Sequence, residues 1–143
     1  IIEPIYYTAN DFSESLASVE LDDKYGFINL NGEMVITNKY DWADNFYEGY
    51  AAVAIGDKYG FIDKDGKEFI PIKYENVDTI SEGLISVEID GKWGYIDQNL
   101  NIIITPIFDE VSKFIDGAAK VVFENRIRYI NKSGEYFWNN INN

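Results

Sequence analysis

Between Gly83 and Ile104 the chain reads as three short strands. Leu84 to Ile89 alternates, with Ile85, Val87 and Ile89 on one face, the period-two pattern of a strand. Asp90-Gly91 follows, a pair suited to a two-residue type I′ hairpin turn because both central positions need positive φ. Lys92 to Asp97 is then the return strand. Counting across a two-residue turn places Ile89 opposite Lys92, Val87 opposite Gly94 and Ile85 opposite Ile96. Gly94 thus faces valine on the aliphatic side, and Trp93 and Tyr95 lie on the other side beside Glu88 and Ser86. A third strand runs through Ile102 to Ile104, and Pro106 is expected to stop it.

This pattern recurs at one constant step along the chain. Lys24-Tyr25-Gly26-Phe27-Ile28-Asn29 returns as Lys58-Tyr59-Gly60-Phe61-Ile62-Asp63 and as Lys92-Trp93-Gly94-Tyr95-Ile96-Asp97. A worn copy is Arg126-Ile127-Arg128-Tyr129-Ile130-Asn131. Other columns keep the same step: Tyr6, Tyr40, Tyr74 and Phe108; Val19, Val53, Val87 and Val121; Phe12, Phe46, Ile80 and Phe114. The hairpin pairs equivalent to Asp90-Gly91 are Asp22-Asp23, Gly56-Asp57 and Glu124-Asn125. Asn29-Leu30-Asn31-Gly32 and Asp63-Lys64-Asp65-Gly66 read as Asx-type turns closed by glycine. Pro4, Pro71 and Pro106 fall at one junction, where Pro71, like Pro106, is expected to end its strand.

Each unit is therefore expected to be a three-stranded meander plus a connector of about ten residues, which could hold a further short strand or a helical turn. Aromatic rings on the second face sit over small neighbours, Tyr59 and Phe61 over Ala54 and Ala52. Both faces are then covered, as in stacked repeats. The expected architecture is all-β: one repeat domain over residues 1–143, with about four tandem 34-residue β-meander repeats stacked as an open, twisted array. A closed, propeller-like ring of four units is the alternative. In this phase the units are 1–23 (partial), 24–57, 58–91, 92–125 and 126–143, the last a degenerate cap.

Composition narrows the chemistry. The 143 residues hold no histidine and no cysteine. That excludes Ser-His-Asp and Cys-His catalysis, disulfides, and the usual Cys/His zinc sites. The net charge of −13 argues against nucleic acid, whose phosphates need clustered Lys and Arg, and against an anionic membrane surface. No apolar stretch is long enough to span a bilayer. The acid is uneven: the segment 1–23 carries six acidic side chains and no basic one, and the segment 126–143 carries three basic and one acidic. The chain begins Ile-Ile, and a mature product or excised fragment is the expectation.

Candidate sites are few. Asp63-x-Asp65-Gly66 begins like a calcium loop, but the twelfth position is Tyr74 rather than glutamate, so turn chemistry is expected and no metal site or cofactor is assigned. The Lys column is expected to offset the acidic turn beside it. The Glu column (Glu14, Glu48, Glu82, Asp116) recurs as a repeat requirement does, whereas an active site is singular. Trp42 and Tyr47 depart from their columns, whose other members are Asn76 and Glu110, and Ser81 and Ile115. They are expected at the surface, with Tyr50, as candidate partner-binding residues.

The run Lys92-Trp93-Gly94-Tyr95-Ile96-Asp97, with the Gly66 and Gly83 columns and Tyr74 around it, resembles the WG (or KWG) repeat of bacterial proteins over essentially the whole chain. Tyr25 and Tyr59 replace tryptophan in two copies beside Gly26 and Gly60, and Ile127-Arg128 replaces both signature residues in the last. The resemblance implies a β-rich repeat module without catalytic activity of its own. The same run is similar to the aromatic hairpins of cell-wall-binding and clostridial-toxin repeats, which implies choline or glycan binding, although those repeats are shorter. The expected function is a non-enzymatic interaction or scaffold module for a protein partner with a basic surface. Glycan or cell-wall binding is the alternative, and carboxylate-only hydrolysis is third.

Overall fold

The computed structural model describes residues 5–137; Pro4 and Trp138 lie outside them. Among the described residues, fifteen strands form four antiparallel sheets, one per repeat. Sheet 1 contains β1 (Thr8–Ala9), β2 (Ala17–Leu21), β3 (Lys24–Ile28) and β4 (Met34–Tyr40). Sheet 2 contains β5 (Trp42–Ala43), β6 (Tyr50–Ile55), β7 (Lys58–Asp63) and β8 (Glu68–Tyr74). Sheet 3 contains β9 (Asn76–Ser81), β10 (Leu84–Ile89), β11 (Lys92–Ile96) and β12 (Ile102–Phe108). Sheet 4 contains β13 (Glu110–Val111), β14 (Ala118–Phe123) and β15 (Arg126–Asn131). In each sheet the strands lie in chain order. The all-β, tandem-repeat architecture is as the sequence implies.

The central hairpin has the expected register. Ile89 pairs with Lys92, Val87 with Gly94 and Ile85 with Ile96; Ala54 pairs with Tyr59 and Ala52 with Phe61. Asp90 and Gly91 have φ of 51° and 76°, as a type I′ turn requires. The Asx turns recur four times. Asn29, Asp63, Asp97 and Asn131 each accept, through Oδ1, the N–H groups of the residues two and four further on, at 2.8–3.0 Å.

The connector takes the first of its two alternatives, and the reading of the prolines needs correction. The connector holds a fourth strand (β1, β5, β9 or β13), which forms a second hairpin around Glu14-Ser15, Glu48-Gly49, Glu82-Gly83 or Asp116-Gly117, so a repeat is a four-stranded sheet in sheets 1–3. The sheets start at a different phase of the same period. Pro71 and Pro106 do not stop β8 and β12 but lie inside them. These are the outer strands of their sheets, where a missing N–H costs no ladder bond.

The outer strand also explains the repeated glycine. A Cβ on Gly94 would lie 2.5 Å from the Ile104 carbonyl oxygen and 2.7 Å from the Pro106 nitrogen. On Gly26 it would meet the Ile36 oxygen at 2.5 Å, and on Gly60 the Ile70 oxygen at 2.4 Å. The pairing of β3 with β4 and of β11 with β12 shifts register at this point, the mark of a bulge. The outer strand thus passes over a bare Cα in each of the first three repeats.

The chain divides into two compact units, Ile1–Lys73 and Tyr74–Asn143. In the first unit, Leu16, Phe27, Ile36 and Tyr40 pack with Ala43, Phe46, Ala51, Val53 and Ile62. In the second, the residues two repeats further on do the same: Leu84, Tyr95, Ile104 and Phe108 with Phe114, Ala119, Val121 and Ile130. In each unit the outer-strand aromatic of one sheet therefore sits in the core of the next. Ala51–Ala54 of β6 and Leu84–Val87 of β10 are buried without alternation, so both faces are covered, as the small residues under the rings suggest.

Candidate functional site

The acidic columns are occupied by backbone and lysine. Glu14 takes φ of 51° and Glu82 the same, a left-handed conformation that costs a non-glycine residue about 1–2 kcal/mol. Their carboxylates accept the N–H of a glycine in the following repeat: Gly49 to Glu14 at 3.1 Å, and Gly117 to Glu82 at 3.0 Å. The preceding serines reinforce this. Ser13 Oγ donates to the Phe46 carbonyl at 2.5 Å, and Ser81 Oγ to the Phe114 carbonyl at 2.7 Å. These carboxylates join neighbouring sheets, which is the structural form of a repeat requirement.

The Lys column behaves differently from its expected role. Lys24 pairs with Asp41 and Lys92 with Asp109, each acid standing at the start of the following sheet rather than in the adjacent turn. Asp41 also accepts the Gly56 N–H at 2.6 Å, and Glu75 accepts those of Asp90 and Gly91 at 3.1 and 2.9 Å. This column therefore caps the hairpin turn of its own sheet. The geometry explains the partner choice: the lysine lies at the turn end of its strand, where the chain crosses into the next repeat.

These contacts act on titration. The Gly56 N–H, and next the Lys24 ammonium, hold the Asp41 carboxyl below the usual carboxylate range. The Asn101 side-chain amide, then the backbone N–H groups of Asn101 and Asn99, do so for Asp97. Burial raises the Tyr95 phenol, helped by the charge of Asp78, against the opposing effect of its bond to the Ser112 carbonyl. For a depressed carboxyl, the stabilisation is complete above the unfolded value of about 3.9 and is lost as pH falls through the lower folded value. Melting temperature should hold from pH 7 to about 5 and fall below about pH 4. Asp97→Asn should keep the turn, since Asn29 and Asn131 already fill that position, and should flatten the acid limb. A melting series from pH 7 to 3 checks both; an unchanged acid limb counts against Asp97.

Trp42 and Tyr47 are at the surface, 41% and 64% exposed. Trp42 lies opposite Ala54 on β6 and meets Tyr59 in an edge-on arrangement, ring centroids 5.8 Å apart. Tyr47 lies opposite Tyr50, exchanging backbone bonds of 2.8 and 3.1 Å with it. Tyr50 is half-buried and stacks on Phe69 at 4.1 Å. The structure therefore joins Tyr47, Tyr50 and Phe69 at one end of sheet 2. Trp42 is separate, four ladder positions away and about 13 Å along the strand. Sequence reasoning missed Phe69 in this set and, in the second unit, Ile115. Ile115 sits in the second unit where Tyr47 sits in the first, and is 59% exposed. The signal was available, since the column alternates Ser13, Tyr47, Ser81, Ile115. The signature residues Tyr25, Gly26, Tyr59, Gly60, Trp93 and Gly94 are buried or half-buried, in structural positions.

A family model described as "WG containing repeat" matches four consecutive stretches, residues 1–25, 25–59, 59–93 and 93–126. No curated protein matches the chain. Among solved structures it is similar to Hsv2 of Kluyveromyces lactis, at 14% identity and a TM-score of 0.55, over 96% of this chain and 51% of that one. A K. lactis Hsv2 variant with loop 6CD replaced by a Gly-Ser linker matches at 15% and 0.55, over 88% and 48%. Kluyveromyces marxianus Hsv2 matches at 15% and 0.52, over 87% and 51%. The chain spans about half the length of these proteins. Hsv2 is a β-propeller, so the likeness is to a β-propeller fold, the architecture set out above as the alternative stacking.

Proposed function

From the premise that the chain belongs to the WG-repeat family, as a repeat module of β-propeller-like fold, we propose that it is a non-enzymatic interaction module for a protein partner with a basic surface. The observation that supports this reading most is the paired anchor. Each compact unit presents one exposed, large apolar side chain, Tyr47 or Ile115, at the same hairpin, followed at once by a carboxylate, Glu48 or Asp116. An aromatic or aliphatic anchor beside acidic charge suits a cationic, partly apolar protein surface. The net charge of −13 favours the same partner by steering.

Ser13 and Ser81 fill this column in the other repeats, so Tyr47→Ser and Ile115→Ser should leave the fold intact. Captured partners should be reduced about tenfold or more by either change, and lost between 50 mM and 500 mM salt. Capture indifferent to salt would remove the electrostatic part of the reading. The glycan alternative draws on the exposed Trp42 ring. Saturable quenching of tryptophan fluorescence by oligosaccharides, abolished in Trp42→Ala, would favour it.

A further inference from the structure

The outer strands β8 and β12 occupy the same columns but differ in charge. Five charged residues on and just before β8 are Lys64, Asp65, Lys67, Glu68 and Lys73. Their columns hold Gln98, Asn99, Asn101, Ile102 and Ile107 in sheet 3. Strand β4 keeps Lys39 in the last of these columns, so of β4, β8 and β12 only β12 has no charged side chain. From Gln98 to Phe108 no residue is charged, the longest such run in a chain of net charge −13. Edge strands are normally guarded by charge, lysine above all, against association with another chain. In β12 isoleucine stands where that guard would be.

These isoleucines are at the surface. Strand β12 is an edge of sheet 3, and its burial alternates: Ile104 and Phe108 pack into the core of the second unit, while Ile103, Thr105 and Ile107 are open. Ile102, Ile103 and Ile107 are 57%, 42% and 41% exposed. In the first unit Val35, the equivalent of Ile103, is 46% exposed although Ile36 and Tyr40 of the same strand are packed on sheet 2. This side of the outer strand is therefore open in both units, and β12 is set apart by its chemistry rather than by its exposure. Three large apolar side chains on one uncharged edge form the kind of contiguous patch that marks a contact surface.

We propose that β12 is a contact between two copies of this chain, which meet about a two-fold axis through their Ile102, Ile103 and Ile107 side chains. Charge selects a second copy as the occupant. In a two-fold contact the same patch meets itself, so every charge within it would face its like. A second copy also carries −13 and is repelled by a surface that is acidic overall. An uncharged strand is therefore what self-contact requires, whereas a basic partner gains no attraction from it. Pro106 and the shift of register between β11 and β12 bar a continuous ladder along the free edge, so the contact is one of side chains. Its small extent makes the association concentration-dependent. The contact uses a different strand from the Tyr47 and Ile115 hairpins and does not rest on the partner reading above.

Sedimentation equilibrium of the 143-residue chain should show its mass rising to that of two copies with concentration. Salt should tighten the association, because screening lifts the repulsion between two acidic chains while leaving the apolar contact in place. Ile107→Lys should weaken it about tenfold or more. Lys39 and Lys73 fill that column in their own repeats, so the variant is expected to fold, which far-UV circular dichroism and a melt establish. An added lysine lowers the net negative charge, which by itself would favour association, so the loss reads the patch and not the total charge. Ile55→Lys is the control: Ile55 is 45% exposed but lies on β6, and its replacement should not weaken the dimer. A monomer at every concentration overturns the proposal. So does a dimer that Ile107→Lys leaves unchanged or that salt dissociates, and so does a mass that grows past two copies, since a two-fold contact closes on itself.

Discussion

Gly94→Ala lowers stability by about 3 kcal/mol, the upper end of the cost of overpacking, although it adds one methyl group to a strand. No positive φ is involved. The cost comes from backbone: the new Cβ would stand 2.5 Å from the Ile104 oxygen and 2.7 Å from the Pro106 nitrogen, and neither can swing aside as a flexible side chain would. Moving β12 outward would in turn withdraw Phe108, which is buried against the fourth sheet's Phe114, Ala119 and Val121. Gly91→Ala is the contrast. Nothing lies within 4 Å of its Cβ, and its φ is 76°, so it bears only the left-handed penalty of about 1 kcal/mol. Urea unfolding of both variants measures the difference. Should Gly94→Ala come within about 0.5 kcal/mol of the parent chain, the close passage of the outer strand is not what requires glycine.

That contrast marks what the sequence could and could not show. A glycine column against a valine column follows from hairpin counting, since a two-residue turn leaves one register. The reason for glycine does not, because the crossing strand is placed by a bulge and bulges have no alternation to read. The fourth strand was hidden for a related reason: β1, β5 and β13 are two residues long, too short for a period. Pro71 and Pro106 misled because proline breaks a ladder only on its inner side, and edge position is a tertiary fact. The left-handed Glu14 and Glu82 break local preference, and their compensation lies a full repeat away in the N–H groups of Gly49 and Gly117. At the candidate site, departure from a column correctly put Trp42 and Tyr47 at the surface. It could not say that Tyr47 and Tyr50 share one end of the sheet while Trp42 sits at the other.

The column Phe12, Phe46, Ile80, Phe114 holds the second large effect, because its members look equivalent in sequence and are not in space. Phe114 is 1% exposed and meets the Tyr95 ring edge-on at 4.8 Å. Phe46 meets Phe27 in the same way at 4.9 Å. In each case the partner ring belongs to the β3 or β11 strand of the preceding repeat. The corresponding position for Phe12 would fall ahead of Ile1, and Phe12 is 43% exposed. Truncation at Phe114 removes a buried ring and leaves a cavity at the junction of two sheets, a loss of about 3–5 kcal/mol. Near the typical stability of a domain this size, that is enough to unfold the second unit in mild denaturant. Phe12→Ala should cost about 1 kcal/mol or less, since an exposed ring forfeits only part of its transfer energy. Equal losses at the two positions would mean that Phe12 is also covered, and that the first repeat is packed on a face as the later ones are. A ratio of about three or more places the stabilising energy at the junctions between sheets rather than within each repeat, as expected for a fold whose single units cannot bury both of their faces alone.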